Sequence, residues 1–105
     1  MTQLKTTDTH SLPIRSELIA WARLVEMTCA EPATVVELLD MGWLEPVRTG
    51  ADEQLFRVGD VYRVQKLMRL CRDLEIPSAA GSIIVDLLER VERLEQEIAE
   101  LKRLL

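Results

Sequence analysis

A mainly α-helical domain with a small β-hairpin wing, followed by a long C-terminal coiled-coil helix, is the fold that this 105-residue sequence predicts. Three observations predict it. An amphipathic run from Pro32 to Met41 is stopped by Gly42 and followed by a small apolar plug, Trp43-Leu44, and then by Pro46. Two short extended runs between Val47 and Val58 flank a loop that contains Gly50. Near the C-terminus the apolar residues recur at helical spacing and narrow to a strict heptad. Helix, glycine stop, plug, hairpin and helix in that order is the layout of a winged helix-turn-helix.

The length allows one domain with an appendage. Residues 1–11 are polar and read as a disordered tail. Residues 12–78 read as the winged domain, and residues 79–105 as a dimerisation helix. The formal charge of −5 argues against duplex DNA as the default partner, because phosphate neutralisation supplies most non-specific DNA affinity. The N-terminus has no apolar signal core and no run approaches membrane-spanning length, which predicts a cytoplasmic address and no membrane contact. Cys29 and Cys71 are isolated, with no C-x-x-C and no cysteine–histidine cluster. They read as small buried hydrophobes.

Between Ser11 and Ala30 two periodicities overlap. Leu12, Ile14, Leu18 and Ala20 alternate in places as a strand would, while Leu18, Trp21, Ala22 and Val25 fit a helix. The reading adopted is a short extended piece ending near Ala20, then a helix over Trp21–Thr28. Glu31-Pro32 opens the next helix, since proline at the first helical position loses no hydrogen bond. Val35, Leu38 and Leu39 give its apolar face, and Glu37 and Asp40 face out. Gly42 closes it in the left-handed conformation. Asp60 is the expected N-cap of the helix whose stripe is Val61, Val64, Leu67, Met68, Cys71 and Leu74. Ser78 is the candidate N-cap of the last helix. There Ile84, Val91, Ile98 and Leu105 take heptad position a, and Leu87, Leu94 and Leu101 take d. A helix with such a seam needs a partner, so Ile84, Leu87, Val91, Leu94, Ile98 and Leu101 are the predicted dimerisation residues. The combination of β-branched a positions and leucine at d favours two parallel strands.

No catalytic arrangement is visible. The single histidine, His10, lies in the polar tail. There is no glycine-rich phosphate loop, no metal-ligand spacing, and no paired carboxylates in an apolar setting. An enzyme is not expected, and neither is a cofactor or a metal. The second helix of a helix-turn-helix enters the major groove and needs donors there. The corresponding stretch, Ala30 to Leu44, has no lysine or arginine and carries Glu31, Glu37 and Asp40 instead. The basic set Arg57, Arg63, Lys66, Arg69 and Arg72 reads as a solvated helix face, and Trp43 and Phe56 read as core of a minimal winged domain.

The pattern resembles the chaperone modulator family CbpM, a branch of the MerR-like winged helix-turn-helix group. The residues that carry it are Met41-Gly42-Trp43-Leu44-Glu45-Pro46 and Asp52-Glu53-Gln54-Leu55-Phe56, then Leu70-Cys71-Arg72-Asp73-Leu74-Glu75-Ile76 and the leucine-rich tail after Ile83. The chain departs from the family at Gln54, where an aromatic is usual, at Arg57 and Val58, where an acidic pair is usual, and at Ser78, where a tryptophan is usual. The resemblance implies binding to the J-domain of a DnaJ-like (CbpA-like) co-chaperone, blocking its stimulation of Hsp70. J-domains present a basic helix, and an acidic binder suits it. The partner-binding residues expected on this basis are Glu45, Asp52, Glu53, Asp73 and Glu75. The alternative is a MerR-like DNA-binding transcriptional regulator, whose relatives dimerise through antiparallel helices.

Overall fold

The computed structural model describes residues 18–50 and 53–105. The elements are β1 (Leu18–Ala20), α1 (Trp21–Thr28), α2 (Pro32–Asp40), β2 (Val47–Arg48), β3 (Gln54–Arg57), α3 (Val58–Leu74) and α4 (Ser78–Leu104). The fold is the predicted one: a mainly helical winged helix-turn-helix with a long C-terminal helix. The expected polar tail, His10, Leu12, Ile14 and Asp52 lie outside the described residues. The chain divides into two compact units, with the boundary after Gln65 inside α3.

In the first unit, β3 is the central strand of an antiparallel sheet ordered β1-β3-β2. Ile19 faces Phe56 and Ala20 faces Leu55, while Val47 pairs with Leu55 on the other side. The extended piece before Trp21 is therefore a third strand of the wing. Leu24, Val35, Leu38, Leu44, Leu55, Phe56, Val61 and Val64 are buried and form the core of this unit. The Trp21 and Phe56 rings lie 6.5 Å apart at a tilt of 48°, a favourable aromatic arrangement.

The turn between α1 and α2 is held by Thr28. Its hydroxyl donates to the Leu24 carbonyl at 2.8 Å and accepts the Ala30 N–H at 3.3 Å, so this buried polar group is satisfied. The Gln65 side-chain amide donates to the Met27 carbonyl at 3.0 Å and ties α3 to the same turn. Cys29 closes α1 in the left-handed region at φ 57°, with its N–H on the Val25 carbonyl. It is exposed, which corrects the expectation of a buried cysteine. A residue that leaves the helix in this conformation no longer follows the helical period, so the apolar stripe does not place its side chain.

The stop after α2 is as expected. Gly42 has φ +76°, its N–H reaches the Leu39 carbonyl, and the Trp43 N–H reaches the Leu38 carbonyl, both at 3.0 Å. This pair of bonds is a Schellman closure with glycine at its left-handed position. Asp60 is not the N-cap of α3. The helix starts at Val58, and Asp60 lies in its first turn with its carboxylate accepting the Arg57 N–H at 3.2 Å. That is the reciprocal half of a capping box, which lets the helix begin a turn earlier without losing the donor. Ser78 is likewise the first helical residue of α4, with Pro77 before it in the capping place.

In the second unit α3 ends with the same closure as α2. The Ile76 N–H bonds the Cys71 carbonyl at 3.1 Å, and Glu75 takes the left-handed place at φ 56°. Gly81 is buried on α4, and a Cβ there would lie 2.5 Å from Cys71 Sγ and 2.7 Å from Leu67 Cδ1. Only glycine permits this approach. Cys71 is half-buried, its thiol 3.6 Å from the Pro77 carbonyl, and burial pushes the thiol's pKa up from its ordinary value.

Two stability changes follow. Gly81→Ala gains about 1 kcal/mol of helix propensity but overpacks fully buried Leu67, typically costing about 1–3 kcal/mol. Its urea midpoint should fall, and Cys71→Ala in the same chain should restore part of the loss. Glu75→Gly should stabilise the chain by about 1 kcal/mol and so raise the midpoint, because a left-handed non-glycine residue costs about 1–2 kcal/mol. Urea unfolding followed by circular dichroism checks both; a Gly81→Ala midpoint above that of the wild type would contradict the close approach.

Candidate protein-binding surfaces

Four of the expected partner-binding acids are described, and they lie on different segments of the chain. Glu45 is exposed two residues before β2, and Glu53 is exposed immediately before β3. The antiparallel register pairs Val47 with Leu55 and Arg48 with Gln54, which puts Glu45 and Glu53 at opposite ends of that ladder. Asp73 and Glu75 belong to the second unit and are exposed at the end of α3. Asp73 lies 3.9 Å from Arg72, a solvent-exposed pair of little energetic weight.

The helix in the reading position is α2. Val35 and Leu38 are buried, so the opposite stripe of Ala33, Val36, Glu37 and Asp40 looks outward. Val36 is 45 % exposed and Met41, just past the helix end, 43 %. This stripe has two carboxylates that accept hydrogen bonds and no side chain that donates to a base edge or a phosphate.

Arg63 is not part of a solvated basic face. Its guanidinium lies 4.0 Å from the Trp43 ring centroid, and Nη1 donates to the Trp43 carbonyl at 3.4 Å. This cation–π contact pins the half-buried Trp43 to α3 and takes one arginine out of the set considered for phosphate contact. The sequence does not reveal it, because the partners are twenty residues apart and both look ordinary in their own segments. Arg57, Lys66, Arg69 and Arg72 are exposed. Tyr62 is exposed on α3 and was not singled out by the sequence pattern.

On α4 the predicted dimerisation residues stay largely uncovered. Ile84 is half-buried, whereas Leu87, Val91, Leu94, Ile98 and Leu101 are all exposed, Leu101 at 62 %. Ile83, Leu88, Leu104 and Leu105 widen the apolar surface. Among the described residues of one chain most of this seam is exposed, and most of it lies beyond the last buried residue of the helix, Val85.

Among the described residues no cluster of histidine, cysteine and acidic side chains could hold a metal ion, and no pocket opens for a small ligand. No helix there is long and apolar enough to cross a membrane.

A family model described as MerR HTH family regulatory protein matches residues 19–103. No curated protein matches the chain. The match takes in nearly all of every described element, from the wing strand β1 to the end of α4. The chain therefore belongs to the MerR helix-turn-helix family of regulatory proteins.

Proposed function

We propose that this protein is a regulator acting through protein–protein contact, and that its partner is the J-domain of a DnaJ-like co-chaperone whose stimulation of Hsp70 it blocks. The observation that carries the reading is the outward stripe of α2, which offers acceptors and apolar surface where a DNA reader needs donors. The acidic net charge supports it, as does the resemblance of Met41–Pro46, Asp52–Phe56 and Leu70–Ile76 to the CbpM chaperone modulators. A basic helix of a J-domain is attracted to such a surface. The proposed activity has no catalytic step and needs no cofactor, and its place is the cytoplasm.

The second reading is a MerR-like DNA-binding transcriptional regulator. It is favoured by the family itself and by exposed Arg57, Lys66, Arg69 and Arg72. It needs base contacts from a helix that lacks every basic side chain.

We also propose that the seam Ile84, Leu87, Val91, Leu94, Ile98 and Leu101 pairs two copies. In a parallel pair Arg90 meets Glu95 and Glu97 meets Lys102, each worth a few tenths of a kcal/mol. These contacts bias register, and burial of the seam supplies the strength.

The purified chain should bind a J-domain and suppress its stimulation of Hsp70 ATPase. Reversing Glu45, Asp52, Glu53, Asp73 and Glu75 together should slow association more than it speeds dissociation, by about tenfold at low salt, because exposed charges steer encounter. Stopped-flow association at about 50 and 200 mM salt reads this. An unchanged on-rate would remove these five residues from the contact. Sequence-dependent duplex DNA binding that survives the higher salt would favour the transcriptional reading.

Sedimentation equilibrium tests the pairing. The wild type should have twice the chain mass at tens of micromolar, and Leu94→Asp with Leu101→Asp should be monomeric. A wild-type monomer, or an unshifted mass in the double variant, would remove the coiled coil.

A further inference from the structure

We propose that the outward face of α2 is a docking surface for a basic amphipathic helix of a protein partner, with Val36 as its apolar centre. Identifying that partner as a J-domain rests on the reading above; the surface itself is argued from α2.

The first argument is where the charge sits. Between Arg23 and Arg48 the chain has no lysine or arginine and five acids: Glu26, Glu31, Glu37, Asp40 and Glu45. The other thirteen acids are matched by the thirteen bases of the rest of the chain. Residues 24–47 therefore carry five negative charges and no positive one, all five acids being exposed; Glu26 is paired with Arg23 at 3.1 Å, and the other four surround α2 and its stop.

The second argument is that two of these acids are placed against the helix they sit on. Glu37 and Asp40 lie in the last turn of α2, where the helix dipole is negative and a base would be stabilising. No base is present in that turn. The helix dipole does not favour acids there. Their field adds to that of the helix end and makes it a site for cations.

The third argument is the apolar content. Ala33 and Val36 lie on the same outward stripe as Asp40, and Met41 follows at its end. A small residue beside an exposed β-branched one lets another helix approach closely. An apolar centre with charges around it is the usual anatomy of a protein contact. α2 has nine residues and is about 13 Å long. It can meet about two turns of a partner helix, one that presents leucine or isoleucine between lysines or arginines at i, i+3 and i+4 spacing. Phosphate and duplex DNA are repelled by the same face.

The surface assigns different work to different acids. Asp40 lies beside the apolar centre, where a contact is retained once formed. Glu45 and Glu53 border the hairpin, where charge guides approach.

The test is an amide NMR titration of the full chain with two probes. One is a synthetic leucine–lysine amphipathic peptide of about 18 residues, five helical turns. The other is an isolated J-domain. The peptide should shift Ala33, Val36, Asp40 and Met41 most. Asp40→Lys should weaken it about tenfold at about 50 mM salt and less at about 500 mM, since screening shortens the reach of the charge. Val36→Ser should weaken it at both salts. Both positions are exposed, and unchanged signal dispersion establishes that the variants fold. Peptide binding that leaves the α2 signals unmoved, or no binding at all, would overturn the surface. A peptide bound at α2 with no response to the J-domain would keep the surface and remove the J-domain reading. A J-domain that binds while neither probe moves α2 would keep that reading and remove the surface.

Discussion

The Leu38 carbonyl is where this chain turns, and the rest of the first unit depends on it. It accepts the N–H of Trp43 at 3.0 Å and of Leu44 at 3.2 Å, across a glycine at φ +76°. A side chain at Gly42 would be strained in that conformation. With the turn made, Leu38 and Leu44 are both buried although six residues apart, and Trp43 comes within reach of Arg63. β2 begins three residues after Leu44, with Pro46 preventing any return to helix. The entry to the wing is thus set by one backbone closure and one cation–π contact, while the pairing of β3 with β1 and the burial of Leu55 and Phe56 hold the rest of it.

That closure was legible because glycine, apolar plug and proline each have a local physical meaning. So was α1, whose apolar period survived competition from the strand pattern just before it. The closure at the end of α3 was less legible. It uses the same hydrogen bond as the end of α2, but Glu75 stands in the left-handed place, and glutamate gives no sign of that conformation. Cys29 misled for the same reason. Asp60 was recognised as a capping residue but assigned to the wrong half of the box, because an acid at the cap and an acid three residues later read alike in one sequence. The pairing of β1 with β3 could not be read, since three residues carry too little pattern to select a partner strand.

The candidate surfaces divide along similar lines. The apolar stripe of α4 could be read from the sequence, because it is a periodic property of one helix; the pairing drawn from it is a proposal. The charged face was legible in sign but not in place. Counting acids gives a net charge; it does not say that Arg63 is occupied by Trp43 or that Glu45 and Glu53 lie at opposite ends of a ladder. Those facts depend on register and on contacts between segments distant in sequence.

In α2 the residues that hold the fold and the residues that stay exposed are different ones. Val35 and Leu38 are fully buried and hold the helix in place, as any helix-turn-helix requires. Ala33, Val36 and Asp40 face outward and support no part of that core. Changing them alters the exposed face of the helix at little cost to the fold, because exposed substitutions usually move stability by no more than about 0.5 kcal/mol. A family built on this frame can therefore keep its hydrophobic interior and glycine stop while replacing phosphate-seeking bases with acids. The acids in the last turn of α2 oppose its dipole, so helix stability alone gives no reason to have them. A cationic surface approaching from outside would make their placement favourable, and this is the physical ground for the docking surface proposed on this helix.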